Sequence, residues 1–527
     1  MPRDLIRTQS SASATPLRMS RRSLFGLGVG AGLVFALDAC GGGSTTPATG
    51  GSDGAAGGTI TWAWQLPTTW DPITSSAGSD VQMLALVYDP LTALDDKGNA
   101  VGWLAQKWSY NAKGTEVTFT LRKGLSFSDG TTLDATAVAA SLERARTDKD
   151  SLVSAQMTDI TKIAAKGETE VVITLSDVNY QIPLLLAGKT GMVVNPTVFK
   201  KDASSLATQP AGSGPFAVTS YVQNDHAEMT KNAHYYLADQ IKVDAFKLYP
   251  QPDSATAVAS ASSGQYNVVR IPASDIAAAK AAGLEVQVLD SMFVNVLDVN
   301  ATMAPFDHPA VVEAMKYAID REKIKKVSNF GVGDVNYQPF PKGYVGYNDD
   351  LDDLYAYDPA KAKKILAAAG LSGGVKGTFT APAPTAAAVE QIQAQLKEVG
   401  INLTIETIPA TQWTQLVYID HSKALGYDGF AGRESPVQAF QVLFSDTGLM
   451  NPARNANAKL QAQLAKVKAT PTDDPTYAGL LQEATKIAVT SFPNTFLYDA
   501  PSIIVRQSSV SALPSRPSLQ RFEGVTA

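Results

Sequence analysis

Cysteine is nearly absent from this chain of 527 residues: Cys40 stands alone, so no disulfide can form within it. Histidine is almost as scarce. The four, His226, His234, His308 and His421, show no HExxH or two-His-one-carboxylate spacing, which weakens a metal reading but leaves open the convergence of distant residues. No Walker motif occurs, so an ATPase would have to be a separate chain. Beyond Cys40 no apolar run is long enough to cross a bilayer. Positive charge is also short. Of 44 basic and 50 acidic residues, five arginines and two aspartates precede Cys40, leaving 39 against 48 and a formal charge of −9. That balance disfavours nucleic acid or an anionic membrane face as partner. Catalytic patterns are missing too. Ser213 lacks the GxSxG frame, Asp129 precedes Gly130 in a turn, and Asp134 sits where a helix N-cap belongs, so no catalytic residue and no cofactor are assigned. The acidic run Asp349, Asp350, Asp352, Asp353 lacks the EF-hand spacing and glycine, and reads as a solvated loop.

What is present begins with an address. Ser20-Arg21-Arg22-Ser23-Leu24-Phe25 followed by an apolar run from Gly26 to Leu37 resembles a twin-arginine export signal. The string GLGVGAG inside it has no preceding strand and is not a dinucleotide fingerprint. Leu37-Asp38-Ala39-Cys40 resembles a lipobox, with Asp38 where a small or β-branched residue is usual, and predicts lipidation at Cys40; a plain secretory signal or an uncleaved anchor is the alternative. The sequence thus predicts an export signal over 1–39 and a flexible Gly/Ser/Thr tether over 40–58.

The globular chain starts at Thr59, where Ile60, Trp62 and Trp64 alternate as one face of a strand. Val117, Phe119 and Leu121 repeat the pattern, and Ala135 to Arg144 reads as a helix. The most informative stretch is Val294 to Ile324. Val294, Val296 and Val299 predict a strand, Asn300 to Pro309 a loop, and Val311, Met315, Ala318 and Ile319 an amphipathic helix whose polar end is Asp320-Arg321-Glu322. Further on, Pro359 opens and Gly370 closes a helix, and Ala387 to Val399, Gly400 and Ile401 to Ile408 read as helix, cap and strand. Such density of helix and strand means α/β layering.

An asparagine followed by APFDHPAVVEAMKYAIDREKI resembles the signature of the solute-binding proteins of peptide and nickel ABC importers, extracellular family 5. The order Trp70-Asp71-Pro72, Tyr88-Asp89-Pro90-Leu91, Leu104 to Trp108, Leu121 to Gly130 (LRKGLSFSDG), Pro210 to Phe216 (PAGSGPF), Tyr357 to Gly370 and Gln391 to Leu403 is similar to that family throughout. The resemblance implies a two-lobed, periplasmic-binding-protein-like α/β fold (type II, cluster C) with an additional smaller α/β domain. It places lobe I at 59–87, 196–293 and 498–527, the extra domain at 88–195 and lobe II at 294–497, with crossings near Met292 to Leu297 and Thr495 to Tyr498. It further implies capture of a small solute, a short peptide or peptide-like compound, and delivery to a permease with separate ATPase subunits by a monomer held to the membrane only through its lipid. The site would be extracytoplasmic. An exported hydrolase or a sensor that no longer transports is the alternative.

Candidate ligand-binding residues in the cleft are Trp64, Arg270, Trp413, Arg433, Glu434 and Tyr498, with core packing the alternative for the aromatics and a surface ion pair for Arg270. In oligopeptide-binding relatives an acid after a "YD" strand can hold the ligand's amino terminus. Here the matching segment runs from Tyr427 to Pro436 and places Arg433, or with a slip of one residue Glu434, at that point. An arginine there predicts a ligand whose group at Arg433 is anionic or neutral, with a surface Arg433 paired to Glu434 or another acid as the alternative.

Overall fold

Alternation from Thr59 onward produces the strand Thr59–Trp64, with Ile60 and Trp62 fully buried and Trp64 half-buried. The computed structural model describes residues 57–250, 253–516 and 518–527, so the export signal, Cys40 and all of the tether but Gly57 and Gly58 lie outside the described residues. Parallel pairing with Ala245–Pro250 on one side and Val268–Arg270 on the other makes Thr59–Trp64 the middle of a seven-stranded sheet. Phe216–Val222 and His226–Lys231 extend it on one side, and Ser502–Arg506 and Glu285–Leu289 on the other, all by antiparallel pairing. Asn267, just before one of these strands, closes the pair: its side chain accepts from Thr61 N–H and donates to Thr59 O, both at 2.7 Å. Beneath the sheet, Trp62 meets Phe246 and Phe522 with ring centroids 5.9 and 5.3 Å away.

Val294–Val299 belongs to a second sheet of five strands, between Leu425–Phe430 and Thr495–Asp499, with Val375–Pro382 and Ile401–Ile408 beyond. All six of its residues are buried, as expected of a strand covered on both faces. Val294 and Val296 enter one apolar core while Leu297 and Val299 enter another. Each contributes about 1.5–3 kcal/mol of apolar transfer. Only the segments from Leu289 to Val294 and from Asp499 to Ser502 join the two sheets.

A third, antiparallel sheet of Ala105–Tyr110, Glu116–Leu121, Glu170–Leu175 and Ile160–Lys166 is inserted between the first two strands of the seven-stranded sheet. Val117, Phe119 and Leu121 point into its core beneath the helix Ala135–Thr147. Asp134 caps that helix by accepting from Ala137 N–H at 2.8 Å, and Asp129 accepts from Thr131 N–H and Asn195 Nδ2 at 2.9 and 3.0 Å. Ser213 is buried, and its Oγ has no partner among the described residues. Gly214 lies flush on the main chain, where an added Cβ would come within 2.6 Å of Val87 C.

One sequence expectation fails in detail. The helix after Asn300 spans Pro309–Ala318 and does not run into Asp320-Arg321-Glu322. Ile319 is extended, and the Asp320 carboxylate accepts from Lys323 N–H at 3.0 Å, so that residue starts a second helix, Arg321–Ser328. Nor is this end polar in its surroundings. Arg321 is buried and donates to Phe496 O at 2.8 Å.

Candidate functional site

Trp64 and Arg270 end the neighbouring parallel strands Thr59–Trp64 and Val268–Arg270, and ligands of open α/β sheets gather at such carboxyl ends. The Arg270 guanidinium carbon lies 5.8 Å from the centroid of the Trp64 ring. Arg270 remains exposed, although enough protein surrounds it that desolvation lowers its pKa. After Trp64 the chain turns. Gln65 Nε2 donates to Ser79 Oγ at 2.9 Å, and the buried Asp80 carboxylate accepts from Thr68 N–H at 3.1 Å, Ser75 Oγ at 2.7 Å and the Thr68 hydroxyl. Those donors satisfy Asp80 and fix the loop.

Lys189 reaches the same loop, its Nζ donating to Ser75 O at 2.7 Å. Burial lowers its pKa to about 8; Asp80 and Glu434 oppose the shift, and Arg433 adds to it. Arg433 and Glu434 arrive from the second lobe, on the turn that follows the strand Leu425–Phe430. Gly432 is required there: its φ is +72°, and a Cβ would lie 2.3 Å from Met292 Cβ on the crossing segment. The Arg433 guanidinium donates to Gly432 O and stands 5.5 Å from the Phe430 ring centroid. Glu434 presses on Gly188, where an added Cβ would be 2.2 Å from its Cδ. Burial lowers the pKa of Arg433 and raises that of Glu434, in each case opposed by the other's charge. No ion pair within 4.0 Å joins Lys189, Arg433 and Glu434. Through the contact of Gly188 with Glu434, Lys189 of the inserted region is brought near Arg433 and Glu434 of the second lobe, and each of the three has hydrogen-bonding capacity left over.

The structure thus brings Arg433 and Glu434 together at one contact, whichever of them aligns with the relatives' acid, and pairs Trp64 with Arg270. Trp413 and Tyr498 are buried against the five-stranded sheet. Trp413 is 7% exposed, packs over Gly426 and donates its indole N–H to Asp428 Oδ2 at 2.8 Å. Tyr498 is 4% exposed, with its hydroxyl 2.9 Å from Ser328 Oγ and 3.1 Å from the Tyr427 hydroxyl. Lys189 and Gly188 carry no local pattern that a sequence reading could have found.

Behind Trp413 sits an unusual acid pair. The Tyr418 hydroxyl is 2.5 Å from both Asp298 Oδ2 and Asp428 Oδ2, and Asn494 Nδ2 donates to Asp298 Oδ1 at 3.2 Å. One hydroxyl proton serves one acceptor, so the second short contact needs a proton on a carboxyl group. Burial raises the pKa of both acids, and at Asp298 the charge of Asp428 raises it further. A groove of about 610 Å³ opens elsewhere on this lobe, but its Lys423 and Glu406 are already paired at 2.7 Å. Among the described residues no group of three or more His, Cys, Asp or Glu could hold a metal ion, and no helix is long and apolar enough to cross a membrane.

Two α/β lobes joined by two crossings, with Arg433 and Glu434 of the second lobe set near Lys189 of the inserted region, define a two-lobed solute-binding protein. A model of the bacterial extracellular solute-binding proteins, family 5 (middle part), matches residues 99–451, and the chain belongs to that family, the peptide/nickel class of ABC-importer binding proteins found outside the cytoplasm. It is 28% identical over 379 residues to the glutathione-binding protein GsiB of Salmonella paratyphi A, covering 71% of this chain and 72% of that one. Two solved structures share the fold. The periplasmic binding protein DppA from Helicobacter pylori, in complex with peptide STSA, matches with a TM-score of 0.80 and 21% identity over 90% of this chain and 98% of its own. The dipeptide binding protein from Pseudoalteromonas sp. SM9913, in complex with Met-Leu, matches with a TM-score of 0.77 and 19% identity over 89% of this chain and 100% of its own. The fold is accordingly the type II two-lobed α/β fold expected from the sequence.

Proposed function

We propose that this chain captures a short peptide or peptide-like solute between its lobes and delivers it, unchanged, to a membrane permease powered by separate ATPase subunits. The observation that carries the reading is the approach of Lys189 to Arg433 and Glu434 where the inserted region touches the second lobe, with Trp64 and Arg270 at the strand ends. The relatives add support: one is named for glutathione, and two are solved with peptides. In this reading lobe I comprises 59–87, 196–293 and 498–527, the extra domain 88–195 and lobe II 294–497. The protein acts as a monomer, tethered through a lipid on Cys40 after twin-arginine export. The ligand presents an anionic or neutral group to Arg433.

Binding by hinge closure has a direct test. Small-angle scattering of the full chain, with and without a mixture of dipeptides and tripeptides, should show compaction on binding, and chromatography should return every peptide intact. Hydrolysed peptides would move the protein to the exported enzymes.

A further inference from the structure

We propose that the Lys189, Arg433 and Glu434 cluster receives an α-amino-acid head group, an ammonium and a carboxylate on one carbon, rather than the lone ammonium of an ordinary peptide terminus. This rests on the solute-binding reading and names the chemical class of its ligand. A lone ammonium placed against Glu434 would face two cations, Lys189 and Arg433, in surroundings dry enough to lower the pKa of both. A lone carboxylate placed against Arg433 would face Glu434. A zwitterionic head answers all three charges at once, its carboxylate accepting from Arg433 and Lys189 while its ammonium donates to Glu434.

The hydrogen-bond inventory leaves room for this. Arg433 uses one N–H on Gly432 O, and Lys189 uses one on Ser75 O; their other N–H groups meet no acceptor among the described residues. Among the described residues no side chain donates to the Glu434 carboxylate, which is hydrogen-bonded only by its own backbone N–H. Asp80, the other acid near Lys189, is occupied by Thr68 and Ser75 and does not compete. Position is set by Gly188, because the Glu434 carboxyl carbon occupies the space a side chain there would take. Gly188 is thus a positioning residue for the acid.

Isomeric dipeptides separate the alternatives. γ-Glutamyl-alanine and α-glutamyl-alanine have the same atoms and net charge, but only the γ isomer bears an ammonium and a carboxylate on one carbon. Calorimetric titration of the full chain should show the γ isomer binding about tenfold or more tightly than the α isomer. Arg433→Gln and Lys189→Met should each shrink that ratio. So should Gly188→Ala, whose methyl displaces the end of a flexible side chain and should leave the melting temperature nearly unchanged. Equal affinities, a preference for the α isomer, or no binding of either overturns the head-group assignment. The solute-binding reading fails separately, if no member of a mixed dipeptide and tripeptide set binds at all.

Discussion

Replacing Asp298 with Asn should remove a pH dependence from the stability of the second lobe. In the native protein, Tyr418 stands 2.5 Å from both Asp298 and Asp428, so the pair holds a proton that neither acid would hold in the unfolded chain at neutral pH. Burial, and the neighbouring Asp428 charge, raise the Asp298 pKa above its unfolded value of about 3.9. The sign follows from proton counting. Between the unfolded pKa and the raised folded value the native state binds one more proton, so this contribution is complete at low pH and is lost as pH rises, at about 1.4 kcal/mol per pH unit. Asparagine supplies an amide N–H to Tyr418 where the carboxyl needed a proton, and can still accept from Asn494. Urea unfolding followed by tryptophan fluorescence at about pH 5, 6 and 7 should therefore give the variant a shallower decline, by about 1.4 kcal/mol per unit, than the native protein. Asp89, whose burial raises its pKa to about 6, is common to both proteins and cancels in the difference. Parallel pH profiles for the two proteins would refute the shared proton.

Arg521 and Asp89 form a buried pair at 3.2 Å, and Arg521→Met should lower stability by about 3–5 kcal/mol in thermal unfolding, because it strands a buried carboxylate; adding Asp89→Leu should restore part of the loss. Gly214→Ala should cost about 1–3 kcal/mol, since its Cβ would meet the main chain of Val87, which cannot swing aside; an unchanged melting temperature would contradict that packing. Cys40→Ser should move the protein from the membrane fraction to the soluble one, and equal partitioning of both forms would refute the lipid anchor.

Much of the fold was legible because it rests on local periodicity. The alternation of Ile60, Trp62 and Trp64, the strand Val294–Val299, the N-cap at Asp134 and the helix start at Pro359 are each decided within a few residues. Where a local rule competed with another, the reading slipped. Asp320 looked like the polar tail of one helix and is the cap of the next. The site was less legible, because it is made by contacts across the fold. Lys189 meets Ser75 from 114 positions away, and nothing around it in sequence marks it out. Trp413 looked as suited to a cleft as Trp64, and only its packing on Gly426 and its bond to Asp428 distinguish the two.

The central claim is capture without chemistry, and native mass spectrometry of the full chain, purified without denaturant, tests it most directly. One small solute per chain is expected, released intact on unfolding and equally intact after prolonged incubation with fresh protein. A solute that is consumed during that incubation, or protein that neither carries nor takes up any small peptide, would contradict it.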